Sequence, residues 1–203
     1  MTTIIGLQGD DWCVIGADSR ITSMDESGFI SSQQVLPPTS SKLISKRGYI
    51  IGVAGDMRAI NILHHVYEPP VSPKSNLVEK IDQFITKSVV PSIRECFDNQ
   101  GYSPPDKSDR EHQAQQDSTI LIAVKARIYI IDNDYSWAQD ETGIYTIGTG
   151  SQYARSVLHL LTNNTTKNLT LEKATLHIKK ALTIASHHDP YTGPPHHIHT
   201  QTT

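Results

Sequence analysis

Cysteine is scarce in this chain of 203 residues, which contains only Cys13 and Cys96. Both lie within apolar patterns and neither has metal-site spacing, so they are expected to be buried thiols in a reducing compartment. Long hydrophobic runs are also missing, because runs such as residues 120–124 fall far short of the roughly 18 residues that a membrane helix needs. After Met1 the chain leads straight into a strand-like segment, with no secretion signal. The sequence therefore predicts a cytoplasmic protein without a membrane segment.

An excess of charge of one sign is lacking as well. The chain has 18 basic and 21 acidic residues, which gives a net charge of −3. Because no long basic run is present, neither a nucleic acid nor an anionic membrane surface is an expected partner. Aromatic residues make up only 6% of the chain, but the hydrophobic fraction of 37% is that of an ordinary globular protein. One domain spanning residues 1–203 is expected.

Alternating apolar residues predict two hairpins near the start of the chain. The first joins residues 3–8 to residues 12–17 through a Gly-Asp-Asp turn. The second joins residues 42–46 to residues 49–54 through an Arg-Gly turn. Between the hairpins, residues 22–41 are rich in Ser, Gln, Gly and Pro, which predicts an irregular excursion.

The middle of the chain has the spacing of helices. A short helix is predicted after Asp56, and a longer one from about Asn76, where Asn76 and Glu79 resemble a capping box. Pro91 is expected to kink or split the longer helix. Residues 101–117 contain almost no apolar side chains and are therefore predicted to form a mobile surface loop.

The last part of the chain returns to strands and then to helices. The predicted strands are residues 119–124, residues 127–131, a short one near Trp137 and residues 145–147, all assigned to a second sheet. The predicted helices are residues 151–161 and 170–186, and residues 196–203 are predicted as a final edge strand. This alternation of blocks predicts an α+β fold with two stacked antiparallel sheets between outer helix layers, a four-layer αββα sandwich.

Thr2 has a chemical potential that depends on removal of Met1. A threonine with a free amine carries a nucleophile and a base on one residue. The amine of model peptides has a pKa of about 7.7 to 8.0, close to the pH at which a general base works best. Taken alone, however, a threonine after the initiator methionine usually only begins a strand.

Four segments of this sequence together resemble the proteasome β-subunits and their bacterial relative HslV, which are N-terminal-nucleophile hydrolases. The segments are Thr2-Thr3-Ile4-Ile5-Gly6 with Val14-Ile15-Gly16-Ala17-Asp18-Ser19-Arg20, Lys42-Leu43 with Ile51-Gly52-Val53-Ala54-Gly55-Asp56, Ile147-Gly148-Thr149-Gly150-Ser151-Gln152-Tyr153-Ala154, and Asp189-Pro190-Tyr191-Thr192-Gly193. Each motif is weak alone, but together they span nearly the whole chain in the family's order. The resemblance implies a threonine-type peptidase that uses no metal and no organic cofactor.

The resemblance also implies roles for individual residues. Thr2 would be the nucleophile, and its freed amine the base. Lys42 would lie beside Thr2 as a cation, held in place by Asp18 through a charge-assisted hydrogen bond. Gly52 would donate its amide N–H to the oxyanion of the tetrahedral intermediate. The residues expected to orient the terminal amine are Thr149, Asp189 and Thr192.

The positions that match the family's specificity pocket carry no charge, which predicts cleavage after apolar residues. These positions are Ile21, Ile44, Ile50 and Ala54. The stretch between Asp18 and Lys42 is longer than in the family, so residues 25–39 are expected to be an insertion near the substrate cleft. The Ser residues that the family usually has are replaced by threonine at Thr149 and Thr192, which keeps the hydroxyl group.

The resemblance implies self-assembly into a homo-oligomeric ring that encloses peptide or unfolded-protein substrates, and an ATPase unfoldase would be a compatible partner. No metal site is predicted, although the chain has ten histidines. Adjacent histidines on a strand point to opposite faces, and no Cys joins them. His197 and His199 share a strand face and are the strongest candidates for a weak site.

Two other functions remain open on the sequence. The same threonine chemistry serves any amide, so the chain can be a small-molecule amidase. It can also be a non-catalytic scaffold or assembly subunit that keeps the fold. Ring assembly separates the peptidase from the amidase, because only a protease needs a closed chamber. Removal of Met1 separates the enzymes from the scaffold, because with Met1 in place the Thr2 nitrogen is a non-basic amide.

Overall fold

The computed structural model of the chain describes residues 2–102 and 117–203. The strands in these residues are β1 (Thr3–Gln8), β2 (Trp12–Ala17), β3 (Arg20–Met24), β4 (Ile30–Val35), β5 (Leu43–Lys46), β6 (Tyr49–Gly55), β7 (Ser118–Val124), β8 (Arg127–Ile131), β9 (Trp137–Ala138), β10 (Ile144–Gly148) and β11 (His197–Thr202). The α-helices are α1 (Met57–His65), α2 (Val78–Phe84), α3 (Val90–Asn99), α4 (Ser151–Thr162) and α5 (Leu171–His188).

Two antiparallel sheets pack face to face through apolar side chains such as Ile4, Ile15 and Leu121. The first sheet has the strand order β10-β1-β2-β11 and the second has the order β5-β6-β7-β8-β9. Helices α4 and α5 cover the outer face of the first sheet, and α1 to α3 cover the outer face of the second. The four-layer αββα sandwich is therefore confirmed, and β11 is an edge strand as expected.

The sheets do not follow the order of the sequence blocks, which corrects one prediction. The hairpin β5-β6 pairs with β7, so it belongs to the same sheet as β8 and β9. Strand β10 instead returns to β1, with Thr3 opposite Gly148. Hydrophobic alternation indicates which residues form strands, but it does not indicate which free edge a returning strand will pair with.

The helices agree with the sequence except at one cap. Asp56 caps α1 by accepting a hydrogen bond from the Arg58 amide at 2.8 Å. The predicted capping box at Asn76 is wrong, because α2 begins after Leu77 and has no side-chain cap. Pro91 does split the long helix: a π-helical turn, Ile85–Val89, separates α2 from α3, whose first turn contains Pro91. A widened turn suits a proline, which has no N–H to donate to the helix.

Among the described residues, no helix is both long enough and apolar enough to cross a membrane. Cys13 is a buried free thiol whose pKa is raised to about 12 by its burial between the sheets. The predicted mobile loop at residues 101–117 falls almost entirely on residues 103–116, which lie outside the described residues.

Residues 20–35 contain structure that the sequence did not predict. Strands β3 and β4 pair with each other as a separate two-stranded antiparallel ribbon, here called the β3–β4 ribbon. Its tip is closed by the Asp25 carboxylate, which accepts hydrogen bonds from the amides of Ser27 at 3.0 Å and Phe29 at 2.9 Å. The expectation of an irregular excursion over residues 22–41 is therefore wrong. The ribbon contains most of the inserted segment, residues 25–39.

Candidate active site

Asp18 lies directly after β2, and its carboxylate is completely buried. Its Oδ1 accepts hydrogen bonds from the Thr3 amide at 2.9 Å and from Lys42 Nζ at 2.8 Å. Its Oδ2 accepts hydrogen bonds from the amides of Arg20 at 3.0 Å and Gly193 at 3.1 Å. Four donors from four separate parts of the chain therefore hold this carboxylate in one orientation, and one of them is a cation.

Lys42 lies directly before β5 with 1% of its side chain exposed. Besides Asp18, its Nζ donates to the Arg20 carbonyl at 2.5 Å. Burial lowers the pKa of Lys42 below its ordinary value, while the charge of Asp18 acts in the opposite direction. Lys42 is thus held in place by two hydrogen bonds, and it releases its proton more readily than an exposed lysine.

Asp189 ends α5 and organises a second network that consists mainly of hydroxyl groups. Its Oδ2 accepts hydrogen bonds from Thr149 Oγ1 at 2.7 Å and Thr192 Oγ1 at 2.6 Å, and its Oδ1 accepts one from the Tyr191 amide at 3.2 Å. Thr192 Oγ1 also lies 2.6 Å from Thr3 Oγ1. A continuous chain of polar contacts therefore runs from Asp189 through Thr192 to Thr3.

Two glycines let the start of β1 approach this second network closely. Gly148 has a φ of +90°, and a Cβ at this position would overlap the Thr2 carbonyl oxygen. A Cβ at Gly150 would overlap Thr3 Oγ1 and would lie 2.8 Å from Thr192 Oγ1. The Gly-Thr-Gly sequence that precedes α4 is therefore required by contact with Thr2 and Thr3.

The structure brings together most of the residues that the sequence proposed for catalysis. Thr2 is 2% exposed and directly precedes Thr3, which is bound by both networks. The residues in these two networks are Thr3, Asp18, Lys42, Thr149, Asp189 and Thr192. The sequence missed Thr3, whose side chain and amide join the two networks. The only signal for it was its position next to Thr2.

Gly52 lies in β6, opposite Leu121 of β7. The Val53 amide donates to the Lys42 carbonyl at 3.1 Å, so Val53 directs its N–H toward the β5 side. Because successive residues of an antiparallel strand direct their N–H groups to opposite neighbours, the Gly52 N–H is expected to face β7. The role of Gly52 as the oxyanion donor stays a prediction.

The four residues predicted for the specificity pocket do not all lie on one face of a sheet. Ile44 packs toward the helices that cover the second sheet, whereas Ile50 and Ala54 face the space between the sheets. Ile21 lies on β3, in the ribbon. Ala54 borders a cleft of about 490 Å³ whose other lining residues are polar, among them Asp117. The apolar specificity inferred from these positions stays a prediction.

The histidines do not form a metal centre in the described part of the chain. Within residues 2–102 and 117–203, no three His, Cys, Asp or Glu side chains are grouped as metal ligands. His197 and His199 border a cleft of about 470 Å³ between β5 and β11, together with His64. The His64 Nε2 lies 2.6 Å from the Ser41 carbonyl oxygen.

Comparison with known proteins gives matches at the level of structure. No known family profile and no curated protein matches the sequence. BPH of Thiobacillus denitrificans, a β-proteasome homologue, in complex with epoxomicin has a TM-score of 0.70 at 15% identity, covering 99% of this chain and 98% of that one. A second structure, of BPH from Thiobacillus denitrificans, has a TM-score of 0.69 at 16% identity, with the same coverage. Eukaryotic HslV from Trypanosoma brucei has a TM-score of 0.62 at 18% identity and covers all of both chains.

These similarities extend over the full length of the chain and confirm the fold that the four motifs implied. The chain has the fold seen in BPH and HslV.

Proposed function

We propose that this chain is a threonine-type peptidase in which Thr2 is the nucleophile after removal of Met1. The observation that carries the proposal is the convergence of two buried networks on Thr3. Asp18 binds the Thr3 amide, and Thr192, which is bound to Asp189, contacts the Thr3 hydroxyl. With Thr3 fixed at its backbone and its side chain, the adjacent Thr2 is held at the point where the two networks meet.

The chemistry then proceeds through Thr2 as follows. Thr2 Oγ attacks the carbonyl carbon of the scissile peptide and its proton passes to the Thr2 amine, while the Lys42 cation favours the neutral form of that amine. A backbone N–H stabilises the oxyanion, the role that the resemblance assigns to Gly52. Collapse of the intermediate expels the amine product, which takes up the proton, and leaves an ester on Thr2. The Thr2 amine then activates water, which hydrolyses the ester.

The experiment that tests this proposal relates activity to processing of Met1. The protein is prepared with and without methionine aminopeptidase, and intact mass gives the fraction that begins at Thr2. Hydrolysis of fluorogenic peptides is expected to rise in proportion to this fraction, and a processed Thr2→Ala variant is the inactive control. Robust Thr2-dependent hydrolysis by fully unprocessed protein would contradict the mechanism, because the Thr2 nitrogen would then be an amide.

We further propose that the protein assembles into a homo-oligomeric ring that encloses peptide or unfolded-protein substrates, with an ATPase unfoldase as the partner that supplies them. The support is the full-length fold similarity, since a peptidase of this fold needs a chamber to avoid indiscriminate cleavage. Sedimentation at micromolar concentration tests the ring. A monomer as the sole species would contradict the chamber and favour the small-molecule amidase.

A further inference from the structure

The Pro190 carbonyl accepts hydrogen bonds from both strands of the β3–β4 ribbon. Arg20 in β3 donates from Nη1 at 3.1 Å, and Gln33 in β4 donates from Nε2 at 2.8 Å. Pro190 directly follows Asp189 and lies in the loop that carries Thr192. One carbonyl of the candidate catalytic loop is therefore held by two side chains from a part of the chain more than 150 residues away.

Side chains on both strands lie on the side of the ribbon that contacts this loop. Gln33 lies opposite Thr22 in the ribbon register, so it shares a face with Thr22 and with Arg20, two residues earlier in β3. Thr22 is 8% exposed, which makes it the most buried residue in either strand of the ribbon. Nearer the tip, Met24 Sδ lies 3.9 Å from the Tyr191 hydroxyl. The ribbon therefore contacts two consecutive residues of the loop, Pro190 and Tyr191.

Within the described residues, the other anchors of the ribbon lie at its base, where Lys42 Nζ donates to the Arg20 carbonyl. Every residue of β4 is exposed, and a two-stranded hairpin alone is marginally stable in water. At its base, the Leu36 amide donates to the Ser19 carbonyl at 2.8 Å, and the Arg20 amide donates to Asp18. The ribbon is therefore anchored to one carboxylate of the site at its base and to the loop of the other carboxylate along one face.

We propose that the β3–β4 ribbon is a clamp that holds the Asp189 loop in its working geometry, and that Gln33 is a positioning residue of the candidate active site. This inference rests on the proposed function for its effect on turnover. The clamp acts on Pro190, one residue from the carboxylate that binds Thr149 and Thr192, so its release displaces the contacts that end at Thr3. Gln33 acts through the loop and does not itself contact the network around Thr3.

The test compares Gln33→Ala with Gln34→Ala, the next residue of the same exposed strand. Gln34 lies opposite Ile21 and therefore points to the other face of the ribbon. Gln33→Ala is expected to lower kcat by about three- to tenfold, the range for loss of one hydrogen bond, and to leave KM within about twofold. Gln34→Ala is expected to match the wild type in both constants.

A third variant separates the donated hydrogen bond from side-chain packing. Gln33→Glu has nearly the same shape but cannot donate to the Pro190 carbonyl, and its charge would draw Arg20 away from that carbonyl. Its kcat is therefore expected to be at least as low as that of Gln33→Ala. A wild-type kcat for Gln33→Glu, or an effect of Gln33→Ala confined to KM, would overturn the clamp. An effect on KM alone would mean that the ribbon binds substrate instead.

Hydrogen exchange tests the clamp independently of catalysis. The amides of Tyr191, Thr192 and Gly193 donate to Asp189 and Asp18 within the loop, and their exchange is expected to accelerate severalfold in Gln33→Ala but not in Gln34→Ala. Equal exchange in the two variants would overturn the inference. If the wild type hydrolyses no peptide, the proposed function fails while the exchange comparison still decides whether the ribbon holds the loop.

Discussion

The two carboxylates of the candidate site are buried to a similar extent but compensated differently. Asp18 is 0% exposed and faces a full positive charge on Lys42, together with three backbone amides. Asp189 is 4% exposed and is held by the hydroxyls of Thr149 and Thr192 and one amide. Burying an ion is costly unless charge or hydrogen bonds compensate it. One half of the site therefore depends on an ion pair and the other on oriented dipoles.

This difference indicates that the network around Asp18 and the network around Asp189 serve different purposes. In the proposed mechanism, the Asp18 half sets the charge next to Thr2, because Asp18 fixes Lys42. The Asp189 half sets geometry, because its hydroxyl contacts end on Thr3 and carry no net positive charge. Substitutions in the Asp18 half should therefore lower both activity and stability, whereas substitutions in the Asp189 half should mainly slow turnover.

The largest effect is expected from Lys42→Met, which leaves the Asp18 carboxylate buried without its cation. Peptide hydrolysis should fall to below about one thousandth of the wild-type rate, and urea titration should show unfolding free energy lowered by about 3 to 5 kcal/mol. The double variant Asp18→Asn/Lys42→Met should recover much of the stability but none of the activity. Lys42→Arg should be inactive as well, since a planar guanidinium does not replace an ammonium in a buried space. A near-normal rate in Lys42→Met would show that this lysine has no catalytic role.

A smaller effect is expected from Asp189→Asn. The side-chain carbonyl can still accept hydrogen bonds from Thr149 and Thr192, but the amide nitrogen replaces the acceptor of the Tyr191 N–H. Turnover should fall by about ten- to a hundredfold, with a stability loss of about 1 to 2 kcal/mol, well below that of Lys42→Met. Steady-state kinetics and urea titration measure the two quantities. Equal stability losses in the two variants would contradict the proposed contrast between an ion pair and dipoles.

Thr192→Val should have a more modest effect on turnover. Valine has nearly the same shape but lacks the hydroxyl that joins Asp189 to Thr3, and this position is completely buried. A reduction of kcat by about tenfold is expected, whereas Thr192→Ser should stay close to the wild type because it keeps the hydroxyl. Peptidase assays on these two variants isolate that hydroxyl. Similar kcat values for the Thr192→Val and Thr192→Ser variants would show that turnover does not depend on the contact between the Thr192 hydroxyl and Thr3.

The smallest effect is a shift in the pH profile. In the proposed mechanism the Lys42 cation is the active form, and burial lowers its pKa, so activity should be lost as pH rises through a value below the ordinary 10.5. The negative charge of Asp189 raises the pKa of Lys42. Asp189→Asn should therefore move the alkaline limb of kcat/KM to lower pH, whereas Thr192→Val should leave it in place. A shift in the opposite direction would contradict this electrostatic link.

The sequence predicted those parts of the fold in which the local pattern and the tertiary structure agree. The bounds of β1 and β2 match the predicted alternation, and Asp56 and Pro91 act as expected at helix boundaries. The resemblance to a known family further identified Asp18 and Lys42, which the structure brings together at 2.8 Å.

The sequence failed where long-range contacts or strand parity decide the structure. Strand β4 consists largely of Ser and Gln residues that have little strand preference, and the ribbon's contact with Pro190 lies far away in the chain. The separation of Ile44 from Ile50 depends on which face of the sheet each side chain occupies. These faces cannot be assigned before the register of β5 and β6 is known.

The central claim is that Thr2 with a free amine is the nucleophile, and reaction with epoxomicin tests it most directly. BPH of Thiobacillus denitrificans was determined in complex with this compound. Processed protein incubated with epoxomicin should gain the mass of one molecule per subunit, and peptide mapping should place the adduct on Thr2, with no adduct in Thr2→Ala. Processed wild-type protein that forms no adduct and hydrolyses no peptide would contradict the account and favour the non-catalytic scaffold.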